Sequence, residues 1–179
     1  MRRTMHKLFF AWDFEKEEKW LNKMSARGMQ LVGVGFCKYI FEDGTSGEYS
    51  YRLELLKQFP THSESASYIH FLEETGVEHI GSFMRWVYLR RKSDDGEFDL
   101  FSDIDSVINH LKRILTLLLC LLPLEISSLG TNISTAIMGS TINLVCACLL
   151  ASILVLLSIG ILNLCRKIRK LKKERILRE

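Results

Sequence analysis

The residues able to do chemistry in this 179-residue chain are few, and their spacing is loose. The histidines are His6, His62, His70, His79 and His110. None falls in an HExxH pattern, and no CxxC pair is present, so no zinc or other metal site is expected. His70 and Glu74 stand four apart on a helical stretch and read as a solvated pair rather than a catalytic dyad. Cys146 and Cys148 would point about 200° apart on a helix, which rules out joint chelation. Gly33-Val34-Gly35 lacks the later glycine and lysine of a phosphate-binding loop. No Ser-His-Asp set can be placed. The expectation is therefore no catalytic residue, no metal and no cofactor. The ionisable group most out of place is Glu125, inside an apolar run. A carboxylate there is a functional suspect if it lies within a bilayer, and an ordinary interfacial group if its helix stops near Pro123.

That run positions everything else. Between Arg113 and Arg166 the only formal charge is Glu125. Residues 142–164 (INLVCACLLASILVLLSIGILNL) are almost unbroken aliphatic, whereas a bilayer core needs about 20 such residues. Residues 114–133 form a second, shorter span containing Pro123, which a membrane helix tolerates when neighbours re-satisfy its backbone. The expected organisation is a domain over 1–92, an acidic linker over 93–107, a two-helix transmembrane hairpin over 108–165 and a basic tail over 166–179. The loop between the spans has no Lys or Arg. Lys112 and Arg113 flank the entry, and Arg166, Lys167, Arg169, Lys170, Lys172 and Lys173 flank the exit. The positive-inside rule then predicts a cell-membrane protein crossing twice, with both termini cytoplasmic. The six exit residues are expected at the surface of anionic lipid, each contributing about 1 kcal/mol.

The net charge of +3 hides an asymmetry. Up to Asp105 there are 14 basic against 18 acidic residues, and from Arg166 onward 8 against 2. The excess positive charge belongs to the tail beside the membrane, so direct nucleic-acid binding is not expected. Cys37 is the one cysteine before the apolar run, which excludes a disulfide within the domain and fits a reducing compartment. Met1-Arg2-Arg3 leads straight into the domain, with no secretory signal expected.

Within the domain, His6 to Trp12 reads as a first strand. Asp13 opens a helix carrying Phe14, Trp20, Leu21 and Met24 on one face, and Gly28 ends it. Met29 to Asp43 is extended, Asp43 to Gly47 is a hairpin signal, and Glu48 to Leu56 is the return strand. A second helix follows, capped by Ser63 or Ser65 and ended by Gly76. Two more strands run over 77–83 and 85–91. Gly28 to Gly33 and Gly76 to Gly81 share one spacing, so the domain reads as two strand–helix–strand–strand repeats. The predicted fold is α+β, a ferredoxin-like sandwich of one sheet with both helices on one face, followed by an all-α transmembrane hairpin. The other sheet face would then be open. Trp12, Trp20, Tyr39, Tyr51, Trp86 and Tyr88 are the candidate binding residues for it.

Phe10-Ala11-Trp12, Glu18-Lys19-Trp20-Leu21 with Met24 and Gly28, Tyr51-Arg52, and Gly76 with Gly81-Ser82 and Trp86 together resemble the bacterial membrane-associated family catalogued as domain of unknown function 2812. The resemblance covers roughly Lys7 to Arg91. It transfers no catalytic residues. It implies C-terminal membrane helices and, through frequent genomic proximity to a PadR-like transcriptional repressor, a regulatory role. The expected function is a membrane-anchored, non-enzymatic binding module whose partners are membrane lipid and a protein, a PadR-like regulator or a membrane complex. The alternative is an accessory subunit of a transporter or other complex, acting through the hairpin and a small-residue face of Ala147, Ala151, Ser158 and Gly160.

Overall fold

The computed structural model describes residues 1–101 and 103–178. Ser102, inside the expected linker, and Glu179, at the end of the expected tail, lie outside the described residues. The chain divides into two compact units, Met1–Ser102 and Asp103–Glu179. The first is α+β and the second is a pair of long apolar helices.

The N-terminal unit runs β1 (Arg2–His6), α1 (Phe14–Ser25), β2 (Met29–Gly35), β3 (Lys38–Asp43), β4 (Tyr49–Leu55), α2 (Ser63–Glu74), β5 (Glu78–Phe83) and β6 (Trp86–Lys92). Its strands form two antiparallel sheets of identical topology, in the orders β1-β3-β2 and β4-β6-β5. The repeat extends to its irregularities. The β2–β3 ladder slips between Leu31 and Gly33, and the β5–β6 ladder slips between His79 and Gly81. Both bulges sit at the glycine that ends the shared spacing, where a missing side chain eases the extra residue.

Two sheets replace the single expected sheet, and the helices do not share one face. Side chains alternate along a strand, and β6 uses both of its faces. Tyr88 enters a core built by Leu21 and Met24 of α1, by Leu31, Tyr39 and Phe41 of the first sheet, and by Tyr51 and Leu53 of the second. Val87 and Leu89 enter another core with Ile69 and Leu72 of α2, Leu56, Val77 and Phe98. The second sheet is thus covered on both sides. Phe98 comes from the acidic segment after β6, so that segment contributes an anchor to the domain.

Two local expectations also change. The first strand is Arg2–His6, not His6 to Trp12. Its charged residues pair across to β3 through Arg2–Glu42 and Arg3–Asp43. Residues 8–12, with Phe9, Phe10 and Trp12 among them, instead form the link to α1, where Phe9 packs on Trp20 and Tyr39. The segment Gly44 to Glu48 does not close a hairpin; β4 opens the second sheet. The loop is held by the end of α1: Gly44 N–H donates to the Gly28 carbonyl at 2.8 Å, and Gly47 N–H donates to that of Ser25 at 2.8 Å. Gln30 Nε2 adds a bond to the Thr45 carbonyl at 2.6 Å.

In the C-terminal unit α3 spans Ile104–Ile137 and α4 spans Thr141–Arg178, joined by a turn with Gly139 at φ +98°. Asp103 caps α3, its side chain accepting from Ser106 N–H at 2.6 Å. The helices pack through Ile108, Leu111, Ile114 and Leu118 of α3 and Ala147, Leu157, Leu164 and Ile168 of α4. Most of their remaining aliphatic surface is uncovered. Both are long and apolar enough to cross a membrane. At 1.5 Å per residue each exceeds about 50 Å, well over a 30 Å hydrocarbon core. Helix therefore continues through Lys112 and Arg113 near the start of α3 and through Arg166 to Lys173 near the end of α4. Pro123 is accommodated inside α3.

Gly28 and Gly76 end their helices at φ +76° and +85°. Left-handed backbone costs a residue with a side chain about 1–2 kcal/mol. A Cβ at Gly28 would also lie 2.9 Å from the Gly44 carbonyl oxygen, whereas at Gly76 it meets nothing within 4 Å. Gly76→Ala should therefore cost about 1 kcal/mol and Gly28→Ala clearly more. Denaturant titration of the full chain in detergent, followed by tryptophan fluorescence, measures both, because Trp12, Trp20 and Trp86 all lie in the N-terminal unit.

Candidate functional site

The densest polar chemistry of the N-terminal unit is organised by one helix. α1 presents Glu17 to its interior and Glu18, Asn22 and Ser25 to the free edge of β4. Glu17 is buried. Its Oε1 accepts from Tyr39 O–H at 2.6 Å and from Tyr88 O–H at 2.7 Å. Tyr39 sits on β3 and Tyr88 on β6, so one carboxylate gathers a phenol from each repeat. Burial raises the Glu17 pKa, and the two phenol bonds partly oppose that rise. Both tyrosines are pushed up, first by burial and then by the carboxylate beside them. The phenols therefore stay protonated as donors.

Along the β4 edge the helix replaces a missing strand. Glu18 Oε1 accepts from Leu53 N–H at 2.8 Å. Asn22 Oδ1 accepts from Tyr51 N–H at 2.8 Å while its Nδ2 donates to the Tyr51 carbonyl at 3.1 Å. Ser25 O–H donates to the Tyr49 carbonyl at 2.7 Å. Three helical residues thus satisfy alternate residues of an edge that would otherwise offer itself to another chain. Tyr51 closes the network from inside, donating to Gln30 Oε1 at 2.9 Å and accepting from Leu31 N–H at 2.9 Å. A shallow groove of about 390 Å³ opens beside this edge, lined by Glu15, Glu18, Lys19, Asn22 and Arg52.

The expected aromatic binding face is taken apart by this arrangement. Tyr39, Tyr51 and Tyr88 are buried in the core. Trp20 and Trp86 pack against that core and are only partly exposed. Trp12 is also half-buried, stacked on Phe10 with ring centroids 4.7 Å apart. The reason is the second sheet: alternation along a strand marks a face as apolar, but not whether water or another sheet lies on it. A different set of apolar side chains is exposed, at the ends of the hairpins, among them Phe36 and Met84.

Other sequence candidates fall where they do little together. His70 and Glu74 form an exposed pair at 3.3 Å. His79 Nε2 and Ser82 Oγ lie 2.8 Å apart across the β5 bulge, a contact that the bulge creates and spacing alone does not reveal. Nucleophilic catalysis also needs an acid orienting the histidine. Among the described residues no carboxylate bonds His79, and no cluster of three or more His, Cys, Asp or Glu could hold a metal ion. Glu125 is half-buried on α3, with one carboxylate oxygen shielded and without a hydrogen-bond partner. Arg166, Lys167, Arg169, Lys170, Lys172 and Lys173 all lie on the last turns of α4, which also carry an Arg175–Asp105 ion pair of 2.7 Å to the start of α3.

Glu18 gives a pH signature. Burial raises its pKa to about 7, against the opposing effects of the Leu53 bond and the Arg52 charge. The folded chain then holds this proton more tightly than the unfolded one. Its contribution to stability is fully present below the ordinary carboxylate value near 4.5 and is lost as pH rises through about 7. Glu18→Gln keeps an oxygen for Leu53 N–H and removes the ionisation. It should raise stability at pH 8 by up to about 3 kcal/mol and leave it nearly unchanged at pH 4. Denaturant titrations at the two pH values measure the difference.

Nothing matches among curated proteins or among solved structures. The family described as Protein of unknown function (DUF2812) matches over residues 13–122, from the start of α1 through β2 to β6 and into α3. With more than half of its length matched, the chain belongs to the DUF2812 family.

Proposed function

We propose that this protein is a membrane-anchored binding module without enzymatic activity. The observation that carries the reading is the division of labour between its two units. The C-terminal unit is two helices long and apolar enough to cross a membrane, with aliphatic side chains on most of their outer surface. The N-terminal unit spends its central polar groups on its own architecture: Glu17, Glu18, Asn22, Ser25 and Tyr51 each serve a partner within the fold. In this reading α3 and α4 cross a cell membrane, and the N-terminal unit and both termini lie in the cytoplasm. Basic residues at Lys112, Arg113 and Arg166 to Lys173, with none between, support that orientation. The module binds a protein or small ligand and passes its state to a regulator, of which a PadR-like repressor is one kind.

One observation favours a second reading. The shielded, unpartnered oxygen of Glu125 lies within an apolar helix, and such groups commonly mark contact with further helices or a polar path. Here the hairpin would be an accessory element of a larger membrane complex.

Fusions test the orientation. Alkaline phosphatase inserted at Ser140 should be active and green fluorescent protein at either end should fluoresce; phosphatase activity at a terminus contradicts the proposal. Photo-crosslinkers at Phe71 and at Glu125, used in native membranes, separate the two functional readings. Adducts through Phe71 favour the binding module, and adducts through Glu125 alone favour the accessory subunit.

A further inference from the structure

Both two-residue hairpin turns of the N-terminal unit end in exposed apolar side chains. Phe36 is 75% exposed at the β2–β3 turn and Met84 is 65% exposed at the β5–β6 turn. The two turns are adjacent, since the Phe36 and Phe83 rings lie 5.7 Å apart. The link after β1 joins the same place. Lys7 N–H donates to the Cys37 carbonyl at 3.1 Å, which sets Leu8, 63% exposed, beside the first turn. Trp86, paired with Phe83 across the second hairpin, packs on Phe14 at 5.9 Å, and the stacked pair Phe10–Trp12 lies in the chain just before it. One end of the unit is therefore an apolar tip of Leu8, Phe36, Phe83 and Met84, with the partly buried Trp86 paired to Phe83 behind it.

Two features say what covers it. The first is charge. The three segments that build the tip, His6 to Trp12, Leu31 to Tyr39 and His79 to Leu89, contain no Asp or Glu, although this half of the chain is acidic overall. Their formal charges are Lys7, Lys38 and Arg85, all positive. An apolar tip whose turns carry Lys7 and Lys38 and no carboxylate is complementary to an anionic bilayer surface, where aromatic rings sit at headgroup level; Arg85 is turned instead to the Leu56 carbonyl. The second is the rest of the chain, whose two membrane-length helices would hold such a surface at high effective concentration. Cys37 and Met84 take φ +51° and +53°, the positive φ that two-residue hairpin turns favour, in side chains other than the usual glycine or asparagine.

We propose that this tip is a second membrane contact, inserting Phe36, Met84 and the neighbouring aromatics into the headgroup layer of anionic lipid. The contact rests on the membrane reading above, and orders the N-terminal unit against the bilayer rather than leaving it on a free tether. Its attraction is part hydrophobic and part Coulombic, so it weakens with salt and with loss of anionic lipid.

The test uses the full chain in vesicles of phosphatidylcholine with or without phosphatidylglycerol, their acyl chains brominated near the headgroups. All three tryptophans belong to the N-terminal unit, and Trp86, paired with Phe83, stands nearest the tip. Bromine should quench part of the emission in anionic vesicles, less in neutral ones and less at high salt. Phe36→Asp with Met84→Asp should abolish the quenching while far-UV circular dichroism is unchanged, because both side chains are exposed. Lys38→Glu should remove the dependence on anionic lipid. Protection of the α3–α4 turn from added protease reports helix insertion separately. Inserted helices without quenching overturn the tip contact and leave the anchor standing. Quenching without insertion overturns the anchor and supports the tip. Disulfide cross-linking between two copies through Phe36→Cys, with no quenching, assigns the tip to self-association and overturns the proposal.

Discussion

The N-terminal unit depends on the Glu17 carboxylate and the two phenols that donate to it. Burying a carboxylate is costly, and the cost is offset only by well-placed donors. Those donors are Tyr39 and Tyr88, one from each three-stranded sheet. A single strand–helix–strand–strand repeat is too small to bury an adequate core. Joining two through the first helix gives Tyr39, Phe41, Tyr51, Leu53 and Tyr88 a common interior. The same helix closes the β4 edge with Glu18, Asn22 and Ser25. Once both repeats are held by α1, their hairpin turns come together as one tip, which neither repeat could form alone.

How much of this was legible in the sequence follows from what each signal encodes. The shared spacing of Gly28–Gly33 and Gly76–Gly81 reports backbone geometry directly, and it revealed the repeat. The two apolar helices were plain because their length and lack of charge have few other uses. Strand pairing was less accessible. Asp43 to Gly47 has turn composition, yet its bonds to Gly28, Ser25 and Gln30 make it a crossing between sheets. The real tight turns at Phe36–Cys37 and Met84–Arg85 put Cys37 and Met84, not glycine, at positive φ. Aromatic residues marked the faces of the sheets without saying that a second sheet covers them. Glu17 was one acid among several in a helix's first turns; only the phenols arriving from residues 39 and 88 distinguish it.

The C-terminal unit obeys a different constraint. Its helices bury one narrow stripe against each other and leave aliphatic side chains outside, an arrangement suited to lipid rather than water. Each continues beyond the length a bilayer requires, and the basic residues lie on those extensions. If both the helices and the aromatic tip contact the membrane as proposed, the N-terminal unit has a fixed orientation there.

The most direct test of the central claim, that one buried carboxylate couples the two repeats, is a double-mutant cycle on Tyr39→Phe and Tyr88→Phe in the full chain. Each single change removes one donor from a buried, charge-bearing group and should cost roughly 1.5–3 kcal/mol. Because both donors serve the same Oε1, the effects should couple, with the double variant departing from additivity by about 0.5 kcal/mol or more. Additive losses, or single losses within the scatter of ordinary surface changes, would contradict the account.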